Sequence, residues 1–253
     1  MAGASEGEVV TAGLLVIGDE ILSGRTKDRN IGYIAEYLAG IGVDLREARV
    51  VPDVEEEIVA ALNALRARYD YVFTTGGIGP THDDITADAV AKAFGLPIDE
   101  DPRALALMRQ RYKGGELNAA RRRMARMPLG AALVDNPVSP PPGFRVGNVI
   151  VMAGVPAVMQ AMLDTAAKSI ESGTKMTVET IDAGAIPEGR YAEALAAIAA
   201  ANRETIIGSY PSYADGTFRN QIVVRGRDPA EVAATRAAVE AMLADIRAAA
   251  TPR

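Results

Sequence analysis

The chain has no cysteine in its 253 residues and a single histidine, His82. The first absence excludes disulfides, thiolate metal sites and a cysteine nucleophile; it agrees with a reducing cytosol, so a cytoplasmic location is expected. The second excludes a histidine-rich zinc site and a Ser-His-Asp triad built on any other histidine. No run approaches the roughly 18 apolar residues that a membrane span requires, so no membrane association is expected. Met1 to Val9 carries Glu6 and Glu8 and lacks an apolar h-region, which does not read as a signal peptide. Basic charge is also short: 27 Lys and Arg stand against 33 Asp and Glu, for a net charge of -6. A general electrostatic pull on nucleic acid or anionic membrane is thereby removed, and no nucleic-acid partner is expected. An anionic ligand must be held locally, by backbone N–H groups, a few arginines, or a metal ion between phosphates and carboxylates.

What is present is ordinary globular material, 49% hydrophobic and 24% charged, in a length that suits two domains. Val10 to Ile17 is a short apolar run ending at Gly18 and reads as a buried strand. Asn30, Ile31, Ile34, Ala35, Leu38 and Ile41 recur at helical spacing, closed by Gly40 and Gly42. Val43 to Val51 is a second strand, and Asp53 is placed to cap a helix with Ile58, Leu62 and Leu65 as its stripe. A third strand, Tyr69 to Thr75, runs into a glycine loop. Helices follow from Asp84 and from Pro102, then a proline loop over Asn136 to Phe144 and a strand over Val146 to Met152. Pro156 suits the first turn of the next helix, which ends near Ser172-Gly173, where the domain boundary falls. Beyond it the order is strand (Met176 to Ile181), helix (Glu188 to Ala201), two strands (Thr205 to Tyr210, Phe218 to Val224) and a helix (Pro229 to Ala249). Alternating strands and helices argue for βαβ units and a mainly parallel sheet, with ligands at the carboxyl ends of its strands.

Two loops at that edge could carry chemistry. Thr75-Gly76-Gly77-Ile78-Gly79-Pro80-Thr81-His82-Asp83-Asp84 lets the backbone approach a ligand and precedes a helix, the layout of a phosphate cradle. It is neither the Rossmann fingerprint nor a P-loop, and a plain capped turn reads equally well from spacing alone. Acidic residues beside an anion site conflict unless one caps the helix and another holds a divalent cation; Asp84 suits the cap and Asp83 the metal. Gly18-Asp19-Glu20, followed by Ser23, Gly24, Asp28 and Asn30, brings two more carboxylates to the same edge. His82 reads as an incidental loop residue, and Arg121-Arg122-Arg123 as a solvated basic face.

These segments resemble the competence/damage-inducible protein A (CinA) family, within the wider molybdopterin-binding (MoaB/Mog-like) superfamily. The resemblance rests on Gly18-Asp19-Glu20-Ile21-Leu22 with Gly24 and Asn30, and on the Thr75 to Asp84 segment with Thr86. Asn136-Pro137-Val138 with Gly143-Phe144, and Gly154-Val155-Pro156, follow in the expected order. Ile78 stands where leucine is usual, a conservative departure. The resemblance implies a three-layer α/β/α, Rossmann-like domain over residues 1–172 and a smaller KH-like α/β domain over residues 173–253. Gly208-Ser209-Tyr210-Pro211 and Arg225-Gly226-Arg227-Asp228 are similar to parts of that module. It has no Gly-x-x-Gly loop here, and a shared fold name does not imply RNA binding.

Full-length relatives carry a further amidohydrolase domain that deamidates nicotinamide mononucleotide; this chain stops before it, so that activity is expected to be absent. The resemblance implies a hydrolase: a divalent-metal-dependent (Mg, Co or Mn) pyrophosphatase acting on ADP-ribose or FAD. In that reading Asp83, Asp19 and Glu20 are catalytic, with Asp83 and Asp19 on the metal. Gly76, Gly77 and Gly79 donate N–H groups to phosphate, and Thr81, Asp84, Asn30, Ser23 and Pro156 bind or position the ligand. The alternative is a non-catalytic carrier of molybdopterin or another pterin phosphate. A homo-oligomer, and a separately encoded amidohydrolase partner, complete the expectations.

Overall fold

The computed structural model describes residues 9–112, 117–214 and 216–250; residues 1–8 of the acidic N-terminal stretch lie outside them. The chain divides into two compact units, Met1–Gly173 and Thr174–Arg253.

The first unit opens with β1 (Val10–Ile17), a short α1 (Asp19–Leu22), α2 (Asn30–Gly40), β2 (Val43–Val51), α3 (Glu55–Arg66), β3 (Tyr71–Thr75) and α4 (Thr86–Phe94). It continues through β4 (Ile98–Glu100), α5 (Pro102–Arg111), α6 (Ala119–Arg123), β5 (Arg126–Pro128) and β6 (Ala132–Val134). It closes with β7 (Gly143–Val146), β8 (Val149–Met152) and α7 (Pro156–Ala166). One sheet has the order β2-β1-β3-β8-β7-β6, while β4 and β5 form a separate antiparallel pair. The strands β2, β1, β3 and β8 run parallel, and β7 and β6 add antiparallel pairings at one side.

Period-two alternation sends the central strands' side chains to two cores. Leu15, Ile17 and Val72 pack with Ile58, Leu62, Leu65 and Val90 of α3 and α4 on one face. Leu14, Val16 and Phe73 pack with Ile34 and Leu38 of α2 and Met159, Met162 and Leu163 of α7 on the other. This is a three-layer α/β/α domain whose parallel strands all point their carboxyl ends to one edge. The sheet edge at β2 is charged, with Arg46 paired to Asp44 and Arg49 to Glu47, which discourages pairing with another chain.

Three local expectations are corrected. The strand expected over Val146 to Met152 is present but starts later, at Val149, because Gly147 turns the chain at φ 54° between β7 and β8. Val54, not Asp53, occupies the N-cap of α3, which has no side-chain cap; Glu55, Glu56 and Glu57 in its first turn complement the helix dipole instead. The helix expected from Glu188 starts later: Glu188–Arg190 is a 3-10 turn.

The second unit has β9 (Thr177–Gly184), α8 (Ala192–Ala201), β10 (Thr205–Ala214), β11 (Thr217–Gly226) and α9 (Pro229–Ala250). The strands form an antiparallel sheet, order β10-β11-β9. Its core joins Ile181, Ile222 and Val224 of the sheet to Tyr191 and to Val232, Val239 and Leu243 of α9.

Candidate functional site

The carboxyl ends of β1, β3 and β8 run into Gly18, Gly76 and the Ala153-Gly154 turn, and these turns close on one open cleft of about 500 Å³. The approach is close because two glycines permit it. Gly76 has φ +104°, and a Cβ there would meet the Ile17 carbonyl oxygen at 2.0 Å. Gly77 has φ +65°, with the Thr86 hydroxyl 2.2 Å from where a Cβ would sit. Thr86, fully buried, donates its hydroxyl to the Gly76 carbonyl at 2.9 Å, and its N–H goes to the Gly77 carbonyl at 3.0 Å. The start of α4 thus clamps the loop.

Asp84 braces the loop from within. Its Oδ1 accepts the Gly79 N–H at 2.6 Å and its Oδ2 the Thr81 N–H at 2.8 Å. It is not the N-cap of α4, a position that Ile85 takes without a side-chain bond. Of the three glycines expected to turn N–H groups to phosphate, Gly79 therefore spends its N–H on Asp84, and Gly76 donates to the Met152 carbonyl at 3.3 Å. Among the described residues the N–H groups of Gly77 and Ile78 have no protein acceptor. The start of α7 also borders the cleft. The helix begins at Pro156, has no side-chain cap and no acidic residue in its first turn, and Gly154, Val155 and Pro156 line the cleft. Its positive end faces the same space as the glycine loop.

The same cleft also holds carboxylates. Glu20 and Asp83 line the cleft, and so does Asp53, which sequence reasoning assigned to a helix cap. The Asp53 Oδ2 accepts the Asp19 N–H at 2.9 Å. Burial pushes the Asp53 carboxyl above its ordinary value, and the charges of Asp19, Glu20 and Asp83 push it the same way. The signal for Asp53 was its position directly after β2: in a parallel sheet, that end lies beside Gly18.

Other expected residues lie outside the lining. Asp19 and Ser23 are exposed on the α1 turn, where the Ser23 N–H donates to the Asp19 carbonyl. Asn30 is buried; its Nδ2 donates to the Gly154 carbonyl at 2.8 Å, so it ties the first loop to the third turn, and its Oδ1 has no partner. Thr81 is exposed. The His82 side chain is 98% exposed, 3.9 Å from Asp83, and takes no part in the cleft. Arg123 is not a solvated residue: its Nη2 donates to the Asp84 carbonyl at 3.1 Å, behind the glycine loop, while Arg122 pairs with Glu100.

Among the described residues, no group of three or more His, Asp or Glu side chains is placed to hold a metal ion. A magnesium-type ion does not need such a cage, because it is commonly held by one or two carboxylates, with phosphate oxygens and water completing its shell. No Lys or Arg pairs with Asp19, Glu20, Asp53 or Asp83 among the described residues. The cleft is therefore lined by carboxylates with no basic side chain paired to them among the described residues.

The fold and these loops define a doubly wound α/β domain with its ligand cleft at the carboxyl edge of a parallel sheet. Residues 13–171 match the family described as the probable molybdopterin binding domain, and the chain belongs to that family. Residues 175–250 match the middle domain of FAD synthase. A protein of Pyrobaculum calidifontis is 34% identical over 79% of this chain and 80% of its own length. A CinA-like protein of Citrifermentans bemidjiense is 42% identical over 60% of this chain but only 38% of its own length. Among solved structures, the CinA protein of unknown function from Thermoplasma acidophilum is 35% identical, with a TM-score of 0.60, over 64% of this chain and 98% of that one.

Proposed function

We propose that the first unit hydrolyses the pyrophosphate of ADP-ribose or a similar nucleotide diphosphate such as FAD, with a divalent metal. The observation that carries this reading is one cleft that gathers the free amides of Gly77 and Ile78, the start of α7 and the carboxylates of Glu20, Asp53 and Asp83. In this mechanism the amides and the helix end hold one phosphate and stabilise charge as it builds on oxygen. Asp83 and Asp53 would hold the metal ion, which would supply the Lewis acidity and the activated water. Asp19 fixes Asp53 through its N–H, and Glu20 raises the local negative charge that draws the ion. The match of the second unit to an FAD synthase segment supports a nucleotide or flavin substrate.

The test is incubation of the protein with ADP-ribose, FAD and NADH, each with magnesium, cobalt or manganese. AMP release is the expected outcome; its absence with every pair overturns the enzyme reading. A second reading is a carrier of molybdopterin or a related pterin phosphate that does no chemistry, favoured by the family description. Pterin phosphate binding with silent hydrolysis assays selects it.

A further inference from the structure

The second unit carries a slot separate in chemistry from the cleft. The turn after β9 and the β10–β11 hairpin enclose about 380 Å³ between Ala185, Pro187, Glu188, Pro211, Phe218 and Asn220. Two prolines and an aromatic ring make its walls flat and apolar. Phe218 is 62% exposed although large and apolar, and its ring is held 4.7 Å from that of Tyr213. An exposed aromatic on a well-formed slot is a feature that folding alone does not call for.

The polar groups of the slot are acceptors, and they are fixed. Ser209 donates to Glu188 Oε1 at 2.5 Å and lies 2.9 Å from the hydroxyl of Tyr191, whose ring is buried in the core of the unit. Glu188 Oε2 has no protein donor among the described residues. Asn220 is 4% exposed; its Nδ2 donates to the Ile186 carbonyl at 2.6 Å and its Oδ1 is buried with no donor. The unpartnered Glu188 Oε2 suits a ligand that brings donors, and the Phe218 ring and the proline walls suit a flat ring. An N–H beside an exocyclic NH2 offers two parallel donors to the two oxygens of a carboxylate, the pairing that makes forked donors strong. An alkyl guanidinium has the same fork but would leave most of the slot empty.

We propose that the second unit binds a 2-amino-4-oxo heterocycle, guanine or pterin, as a free base or nucleoside. Glu188 reads its amino and imino edge and Phe218 stacks on its ring. The assignment does not depend on hydrolysis in the first unit.

Calorimetric titration of the full chain with guanosine and with 6-hydroxymethylpterin tests it, with adenosine and argininamide as comparators. Guanosine and the pterin are expected to bind and the comparators to bind at least about tenfold more weakly, adenosine because it lacks the paired donors and argininamide because it lacks the stacking ring. Glu188→Gln, which keeps the acceptor for Ser209 but places an NH2 against the ligand, weakens binding about tenfold or more. Phe218→Ala, at an exposed position, weakens it about tenfold through lost stacking. Asp83→Asn leaves the affinity unchanged. Four results overturn the proposal: no binding at millimolar ligand, an affinity indifferent to both slot variants, weakening by Asp83→Asn instead, or argininamide bound as tightly as guanosine. A single-stranded oligonucleotide with an unpaired guanine that binds more tightly than guanosine overturns the assignment to a free base.

Discussion

The two ends of the six-stranded sheet use similar residues to opposite effect. At the amino end, Asp70 accepts the Thr11 N–H at 2.8 Å and the Thr11 hydroxyl at 2.6 Å. Asn148 spends its Nδ2 on the carbonyls of Arg66 and Tyr69, and Arg145 donates to Gly147 and Ser169 while lying over the Tyr71 ring. Polar groups there are partnered, and the Thr11 hydroxyl and amide hold the Asp70 carboxyl below its ordinary value. At the carboxyl end, Asp53 is pushed the other way by burial and by three neighbouring carboxylates. The hydroxyls of Thr74 and Thr75 and the Oδ1 of Asn30 are buried there without partners. One end is finished by folding. The other keeps buried polar atoms that folding leaves without partners.

The largest expected effect breaks the carboxyl end outright. Gly76→Ala forces a Cβ onto the Ile17 carbonyl at a positive φ and is expected to destabilise the first unit by more than about 3 kcal/mol, read as a lower urea midpoint. A near-normal midpoint would mean that the turns do not need to approach so closely. Next, Asp83→Asn is expected to lower AMP release about a hundredfold, equivalent to about 2.7 kcal/mol of barrier, with the melting temperature unchanged because that side chain is exposed. A large loss of stability instead would return Asp83 to a structural role.

The two aspartates then sharpen the contrast by sign. Asp70→Ala removes two hydrogen bonds to an exposed carboxylate and is expected to cost about 1 kcal/mol at neutral pH. Because the folded pKa of Asp70 lies below the ordinary 3.8, its contribution is full above that value and fades as pH falls through the lowered one. The variant should therefore lack part of the wild type's acid loss. Asp53→Asn, which still accepts the Asp19 N–H, is expected to raise stability by a few tenths to about 1 kcal/mol at neutral pH. The folded pKa of Asp53 lies above 3.8, so its ionisation opposes folding, with no cost below that value and the full cost once pH passes the raised one. Melting curves across this range check both signs; a destabilising Asp53→Asn would end the comparison.

Much of this was legible along the chain. The run Val10 to Ile17 and the helix from Asn30 to Gly40 match their observed bounds, because periodicity and glycine stops are local signals. The meeting of the Gly18 and Gly76 turns followed from parallel topology alone. What was missed depended on partners far away in sequence. Asp53 looks like a cap until β2 is seen beside β1, and Arg123 looks solvated until α6 is seen behind the glycine loop. The Gly79 amide looks free until Asp84 turns back to take it.

The residues themselves determined a doubly wound α/β domain followed by a smaller one, and the edge at which a ligand binds, since strands that alternate with helices pair in parallel and end at one edge. Only the tertiary structure decided which amides stay free, which carboxylates share a field, and that a second slot waits in the smaller unit. Hydrogen-bond pairing and desolvation depend on distances of a few ångströms between segments that the chain keeps apart, and no local pattern encodes them.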